Sequence, residues 1–175
     1  MKPIFRLLSL FILPFLVAAL TLIYFKSQEA RVLVIEETGE KILSIPYQST
    51  LYEDFGMIYT PNANLAVKNL DGFEIYNFLV DTGAIVSAVP AKKTQTLGIN
   101  LAYLPRIAVE GYGGQTTFTY RGTFTVKIME DLVTLPCVFS EVDTSNYILG
   151  RKGLFENYSL NFSATKKAVE FIRKI

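Results

Sequence analysis

Phe78-Leu79-Val80-Asp81-Thr82-Gly83-Ala84-Ile85-Val86 is the stretch from which this chain is best read. Three apolar residues run into Asp81, and a second apolar stretch continues from Ile85 to Pro90. Asp and Gly are favoured at strand exits by their backbone preferences. A strand is therefore expected to end here in a sharp turn that lifts one carboxylate off its sheet. Further along, Ile148-Leu149-Gly150-Arg151 is another apolar strand ending in glycine, this time followed by a cation. Between the two, Gly111-Tyr112-Gly113-Gly114 forms a glycine-rich tip joining residues 107–110 to 115–120 in a long hairpin.

The chain has 175 residues, one cysteine and no histidine. Ser-His-Asp and Cys-His catalysis and the usual zinc-ligand sets cannot be assembled from that inventory. Hydrolysis on this chain would have to be carboxylate chemistry; no metal or organic cofactor is implied for it. Residues 26–175 hold 15 of the 17 basic residues and all 16 acids, a net charge of −1. No basic stripe of the kind that binds nucleic acid is present.

Residues 7–25, opening on Leu7 and closing on Phe25, are 19 positions without a charge. At about 1.5 Å per residue a helix of that length just spans a ~30 Å hydrocarbon core. Tyr24 and Phe25 stand where an interfacial aromatic belt belongs, with Lys26 outside it. The rival reading is a cleaved signal peptide, for which Lys2 and Arg6 supply the positive start. The apolar stretch is long for that role and no clear small-x-small site follows it. The expectation is a single-pass anchor over residues 1–30, with the domain on the non-cytoplasmic side.

Past residue 30 the periodicity is that of strands. Residues 31–35 and 41–46 read as strands around a turn at 37–40, and 47–63 as connection, so that 31–56 forms a stalk or an extra β-hairpin. Residues 65–70 and 73–80 flank Asp71-Gly72, a two-residue hairpin signature. Pro90 and Gly98 bracket an expected short helix over 90–97. Strands follow at 123–128 and 132–139 around Glu130-Asp131, the latter placing Cys137 in the core. A helical turn at 151–155 and strands at 159–162 and 168–172 complete the pattern. Short strands at this spacing predict a small β-barrel-like domain.

The single Asp-Thr-Gly and the Ile-Leu-Gly-Arg at this spacing resemble the retroviral-type aspartic proteases (retropepsins), single-domain chains that work as dimers. The resemblance covers residues 57–172 and implies an all-β, small, closed, barrel-like fold with one or two short helices over 57–175. It implies Asp81 as the catalytic residue, supported by Thr82, Gly83 and Ala84. Thr82 would hydrogen-bond across the dimer axis, and Gly83 would let the backbone pass close to substrate. Ala84, lacking the hydroxyl that many pepsin-like relatives carry there, implies a less acidic optimum than pepsin's. Gly111, Tyr112, Gly113 and Gly114 would form the flap, with Ile85, Val86 and Tyr112 giving apolar contacts to the substrate. Gly150 and Arg151 would be structural. Two departures stand out: Ile85 replaces the aspartate that usually pairs with this arginine, and Lys152 replaces an Asp or Asn.

Aspartic proteases need two carboxylates sharing one proton, because like charges that close cannot both ionise. One Asp-Thr-Gly per chain supplies half of that pair, and a two-fold homodimer supplies the rest. The implied activity is a membrane-anchored aspartic endopeptidase acting on a peptide or protein substrate. Two alternatives remain: a catalytically silent peptide-binding module of the same fold, and a structural envelope protein whose Asp81 sits in an ordinary turn.

Overall fold

The computed structural model describes residues 39–128, 130–142 and 147–174. The expected anchor at 7–25 and strand at 31–35 lie outside the described residues. Within the compact unit Glu37–Ile175 the chain is mostly strand. Its elements are β1 (Gly39–Pro46), β2 (Gln48–Tyr52), β3 (Gly56–Thr60), β4 (Asn62–Asn69), β5 (Gly72–Val80) and β6 (Ser87–Pro90), then β7 (Arg106–Glu110), β8 (Thr116–Ile128), β9 (Asp131–Ser140), β10 (Tyr147–Leu149), β11 (Tyr158–Ser163) and β12 (Ala168–Lys174).

Seven strands form one sheet in the order β4-β5-β10-β6-β9-β8-β7, and an additional pairing of β4 with β8 closes six of them into a ring. Two-residue alternation explains which side chains fill it, since successive residues of a strand face opposite sides. Ala63, Leu65 and Val67 of β4 and Tyr76, Phe78 and Val80 of β5 point inward and are buried. Their outward neighbours Asn62, Asn64 and Asn77 form a hydrogen-bonded ladder, with Asn62 Nδ2 donating to Asn77 Oδ1 and Asn77 Nδ2 to Asn64 Oδ1, both at 2.6 Å. In the core, Phe78 stacks on Phe124 with ring centroids 5.6 Å apart, and Tyr76 stacks on Tyr147 at 4.8 Å. Burying each such side chain contributes about 1.5–3 kcal/mol. Cys137 lies in this core, on β9, and burial pushes its thiol up to about 12.

A smaller sheet runs β1-β12-β11, with β12 in the middle and antiparallel to both neighbours. Tyr158 ties it to the ring by donating its hydroxyl proton to Asp131 Oδ2 at 3.0 Å. β2 and β3 form a two-stranded hairpin of their own.

Several local expectations shift. Gly39 and Glu40, expected in a turn, begin β1 because they pair with Lys174 and Arg173. Residues 48–60, expected as connection, form the β2–β3 hairpin. Pairing of Asn69 with Gly72 makes Leu70 and Asp71 the two loop residues of the β4–β5 hairpin, one position earlier than Asp71-Gly72. The Asn69 side chain sets that register by accepting the Asp71 amide at 3.0 Å. The expected helix over 90–97 contracts to a 3₁₀ turn, Ala91–Lys93, followed by turns. The strands expected at 115–120 and 123–128 are one continuous β8. Gly122 sits inside it because a Cβ there would meet the Phe139 ring at 2.8 Å.

Candidate active site

The Asp81 loop joins β5 to β6, and β10 passes between those two strands. β10 runs parallel to β5, with Leu149 beside Val80, and pairs antiparallel with β6 through Ile148 and Ala88. The chain thus leaves β5 at Val80, turns at Asp81, and re-enters the sheet on the far side of β10. This split forces the loop out of the sheet and exposes its backbone.

Hydrogen bonds from three backbone amides, those of Asp81, Gly83 and Ala84, fix the loop. The Asp81 amide donates to the Leu149 carbonyl at 3.1 Å, and the Ala84 amide to the Asp81 carbonyl at 3.3 Å. The Gly83 amide donates to Asp81 Oδ1 at 2.8 Å, so the carboxylate is aimed by its own turn. A Cβ on Gly83 would stand 3.1 Å from that same oxygen. Asp81 is half-buried, whereas Thr82 and Gly83 are exposed. The Thr82 hydroxyl is not engaged with any other side chain among the described residues.

The strand-end glycine and the cation after it lock onto the same loop. The Arg151 amide donates to the Ala84 carbonyl at 3.1 Å and the Lys152 amide to the Ile85 carbonyl at 2.8 Å. Gly150 packs directly on the backbone of Val86, and a Cβ there would lie 2.8 Å from the Ser87 nitrogen. No residue but glycine fits. The helical turn after it is closed by the Phe155 amide on the Arg151 carbonyl at 2.8 Å. Arg151 itself is exposed and its guanidinium has no partner among the described residues: Ile85 offers no acceptor, and no other acid takes its place. Ile85 is 69% exposed.

Two members of this arrangement carried no sequence signal. Ser87 is fully buried, and its Oγ accepts the Gly150 amide at 3.1 Å. The carbonyl of Pro61 accepts the Val80 amide at 3.0 Å, bracing the residue just before Asp81. An isolated buried serine or a proline between strands looks like any other in a sequence.

Gly111, Tyr112, Gly113 and Gly114 form the tip of the β7–β8 hairpin. Gly113 and Gly114 have φ values of 81° and 76°, a region that side chains with Cβ disfavour. The tip is closed by the Gly111 amide on the Gln115 carbonyl at 2.9 Å. At the hairpin's base Arg106 forks onto Glu141, Nε to Oε1 at 2.7 Å and Nη2 to Oε2 at 3.0 Å, and its guanidinium carbon lies 4.0 Å from the Phe118 ring centre. Those hydrogen bonds hold the Glu141 carboxyl below its usual range. Among the described residues no hydrogen bond joins the tip to the Asp81 loop.

No protein-family model and no curated protein matches the chain. Solved structures do. A retropepsin-like aspartic protease from Rickettsia conorii superposes with a TM-score of 0.54 at 17% identity, covering 75% of this chain and 89% of that one. EIAV protease complexed with the inhibitor HBY-793 superposes with a TM-score of 0.39 at 22% identity, covering 58% of this chain and 88% of that one. The first likeness establishes that the fold is retropepsin-like.

Proposed function

We propose that this chain is an aspartic endopeptidase, active as a homodimer and tethered to a membrane by residues 7–25 with its domain on the non-cytoplasmic side. The observation that carries the reading is the Asp81 loop. On a retropepsin-like fold, a lone Asp-Thr-Gly is held out of the sheet with its carboxylate aimed by the Gly83 amide and its backbone pinned by β10.

In that reading the Asp81 carboxylates of two copies meet at the two-fold axis and share one proton. The ionised member takes a proton from water as the water oxygen bonds to the peptide carbonyl carbon. The neutral member donates its proton to the carbonyl oxygen. Collapse of the tetrahedral adduct breaks the C–N bond, with a proton passing to the leaving nitrogen, and releases an acid and an amine. The substrate is an extended peptide laid against strand edges beneath the flaps formed by Gly111, Tyr112, Gly113 and Gly114 of each copy. Flap closure excludes water and commits the peptide to cleavage. Ile85 and Val86 favour apolar side chains beside the scissile bond.

Incubating the full-length protein with a diverse peptide library, with products read by mass spectrometry, tests this reading. Cleavage by the wild type, its loss in Asp81→Asn, and inhibition by a pepstatin-like transition-state mimic are expected. Equal cleavage by a contaminant-free Asp81→Asn preparation removes Asp81 from the chemistry.

A further inference from the structure

β2 and β3 pair with each other in register from Gln48 opposite Thr60 to Tyr52 opposite Gly56. A lone two-stranded hairpin is marginal in water unless one of its faces is covered. Here the register places Leu51 opposite Met57 and Ser49 opposite Tyr59, so Leu51, Met57 and Tyr59 share a face. They are 73%, 54% and 44% exposed, and Phe55 in the turn is 77% exposed. The hairpin's own domain holds it at its root, where Lys167 Nζ donates to the Tyr59 hydroxyl oxygen at 2.8 Å and lies 4.3 Å from that ring's centre. Lys167 adopts a positive φ of 48° at this point, and its carbonyl accepts the Tyr47 amide at 2.7 Å. Contiguous exposed apolar surface of this kind marks an interaction site.

The place where the hairpin is rooted indicates what covers it. β3 ends at Thr60, and the next residue, Pro61, accepts the amide of Val80, the neighbour of Asp81. The hairpin therefore springs from beside the Asp81 loop. In a shared active site that loop faces the two-fold axis, so a projecting element rooted beside it meets the second copy first. We infer that residues 48–60 form an arm that lies against a second copy of this chain and buries Leu51, Phe55 and Met57 there. The inference rests on the shared-site reading of Asp81. By two-fold symmetry the contact is made twice, once by each copy's arm.

The composition of the turn favours a protein surface over a lipid one. Glu53 and Asp54 are exposed immediately before Phe55. A bilayer that accepted Phe55 would have to take in both carboxylates beside it, and an anionic leaflet would repel them. At a protein interface such acids stay at the solvated rim while the apolar residues fill the centre.

Two measurements on full-length protein in phosphatidylcholine vesicles or detergent test the arm. With Phe55 replaced by photoreactive benzoylphenylalanine in vesicles, irradiation should give a covalent dimer of the chain. Adducts to lipid in its place, or no adduct, overturn the inference. In detergent, the double variant Leu51→Ser, Met57→Ser should weaken dimerisation, read by energy transfer between labelled chains, by at least about tenfold, the scale of losing an interface hot spot. Both residues are exposed in the monomer, so its circular dichroism should be unchanged. Undiminished dimerisation overturns the arm. The two readings fail separately. Cleavage by wild type that depends on dimerisation, with a variant that dimerises equally well, removes the arm alone. A crosslinked dimer that cleaves no peptide removes the protease and keeps the arm.

Discussion

The amide of Gly150 donates to the buried hydroxyl of Ser87 at 3.1 Å, joining the end of β10 to the start of β6 across the base of the Asp81 loop. Gly150 also lies flat against the Val86 backbone, so the two segments approach as closely as main chains can. The position of Asp81 is thereby set by residues 6 and 69 positions further along the chain.

Ser87→Ala should therefore do more than remove a hydroxyl. It leaves the Gly150 amide buried without an acceptor, a cost of about 1–3 kcal/mol. The variant should unfold at lower denaturant, and its kcat should fall more than its KM rises, because the loop it loosens carries the carboxylate proposed to react. A denaturant titration with steady-state kinetics checks this. Unchanged kcat would separate the Ser87 contact from the alignment of Asp81.

Replacing Gly113 and Gly114 together with Val should cost activity more than stability, with backbone strain of about 1–3 kcal/mol at each position confined to an exposed tip outside the core. Both glycines occupy positive φ, which β-branched residues disfavour, and a strained tip should not close on substrate. The check is kcat/KM alongside a thermal melt. If both kinetic constants match the wild type, the β7–β8 tip is not a flap.

Cys137 reports on the integrity of the ring. Its thiol pKa is raised from 9.0 to about 12 because burial penalises the thiolate. The folded chain should be inert to thiol-specific reagents at pH 8, where the unfolded chain reacts. The sign of the linkage follows: the neutral thiol is favoured in the fold, so this contribution is complete below pH 9 and is lost as pH rises toward 12. Stopped-flow labelling at pH 8 with and without denaturant checks it, and rapid labelling of the native protein would contradict the buried placement.

The sequence carried the Asp81 loop, the Gly150 stop and the glycine tip because each is a local signal, a turn residue after an apolar run. β4, β5 and β9 were legible for a similar reason, since burial on one face leaves a period of two. The β2–β3 hairpin was not, because the monomer buries neither of its faces and Leu51, Tyr52, Met57 and Tyr59 leave no clean alternation. Gly122 read as a break in β8, but a glycine chosen to clear the Phe139 ring looks the same in a sequence as one chosen for a turn. The pairing of β1 with β12 and the bond from Gly150 to Ser87 join residues far apart in the chain. Neither has a local signature.

The shared site is the central claim, and subunit mixing tests it most directly. Full-length wild type is equilibrated with increasing Asp81→Asn protein in detergent, exchange is confirmed by energy transfer between labelled chains, and peptide cleavage is followed. If each site needs an Asp81 from both copies, excess mutant should draw wild-type chains into inactive heterodimers and abolish most of the activity. Activity that depends only on the amount of wild type, with exchange demonstrated, would contradict the account.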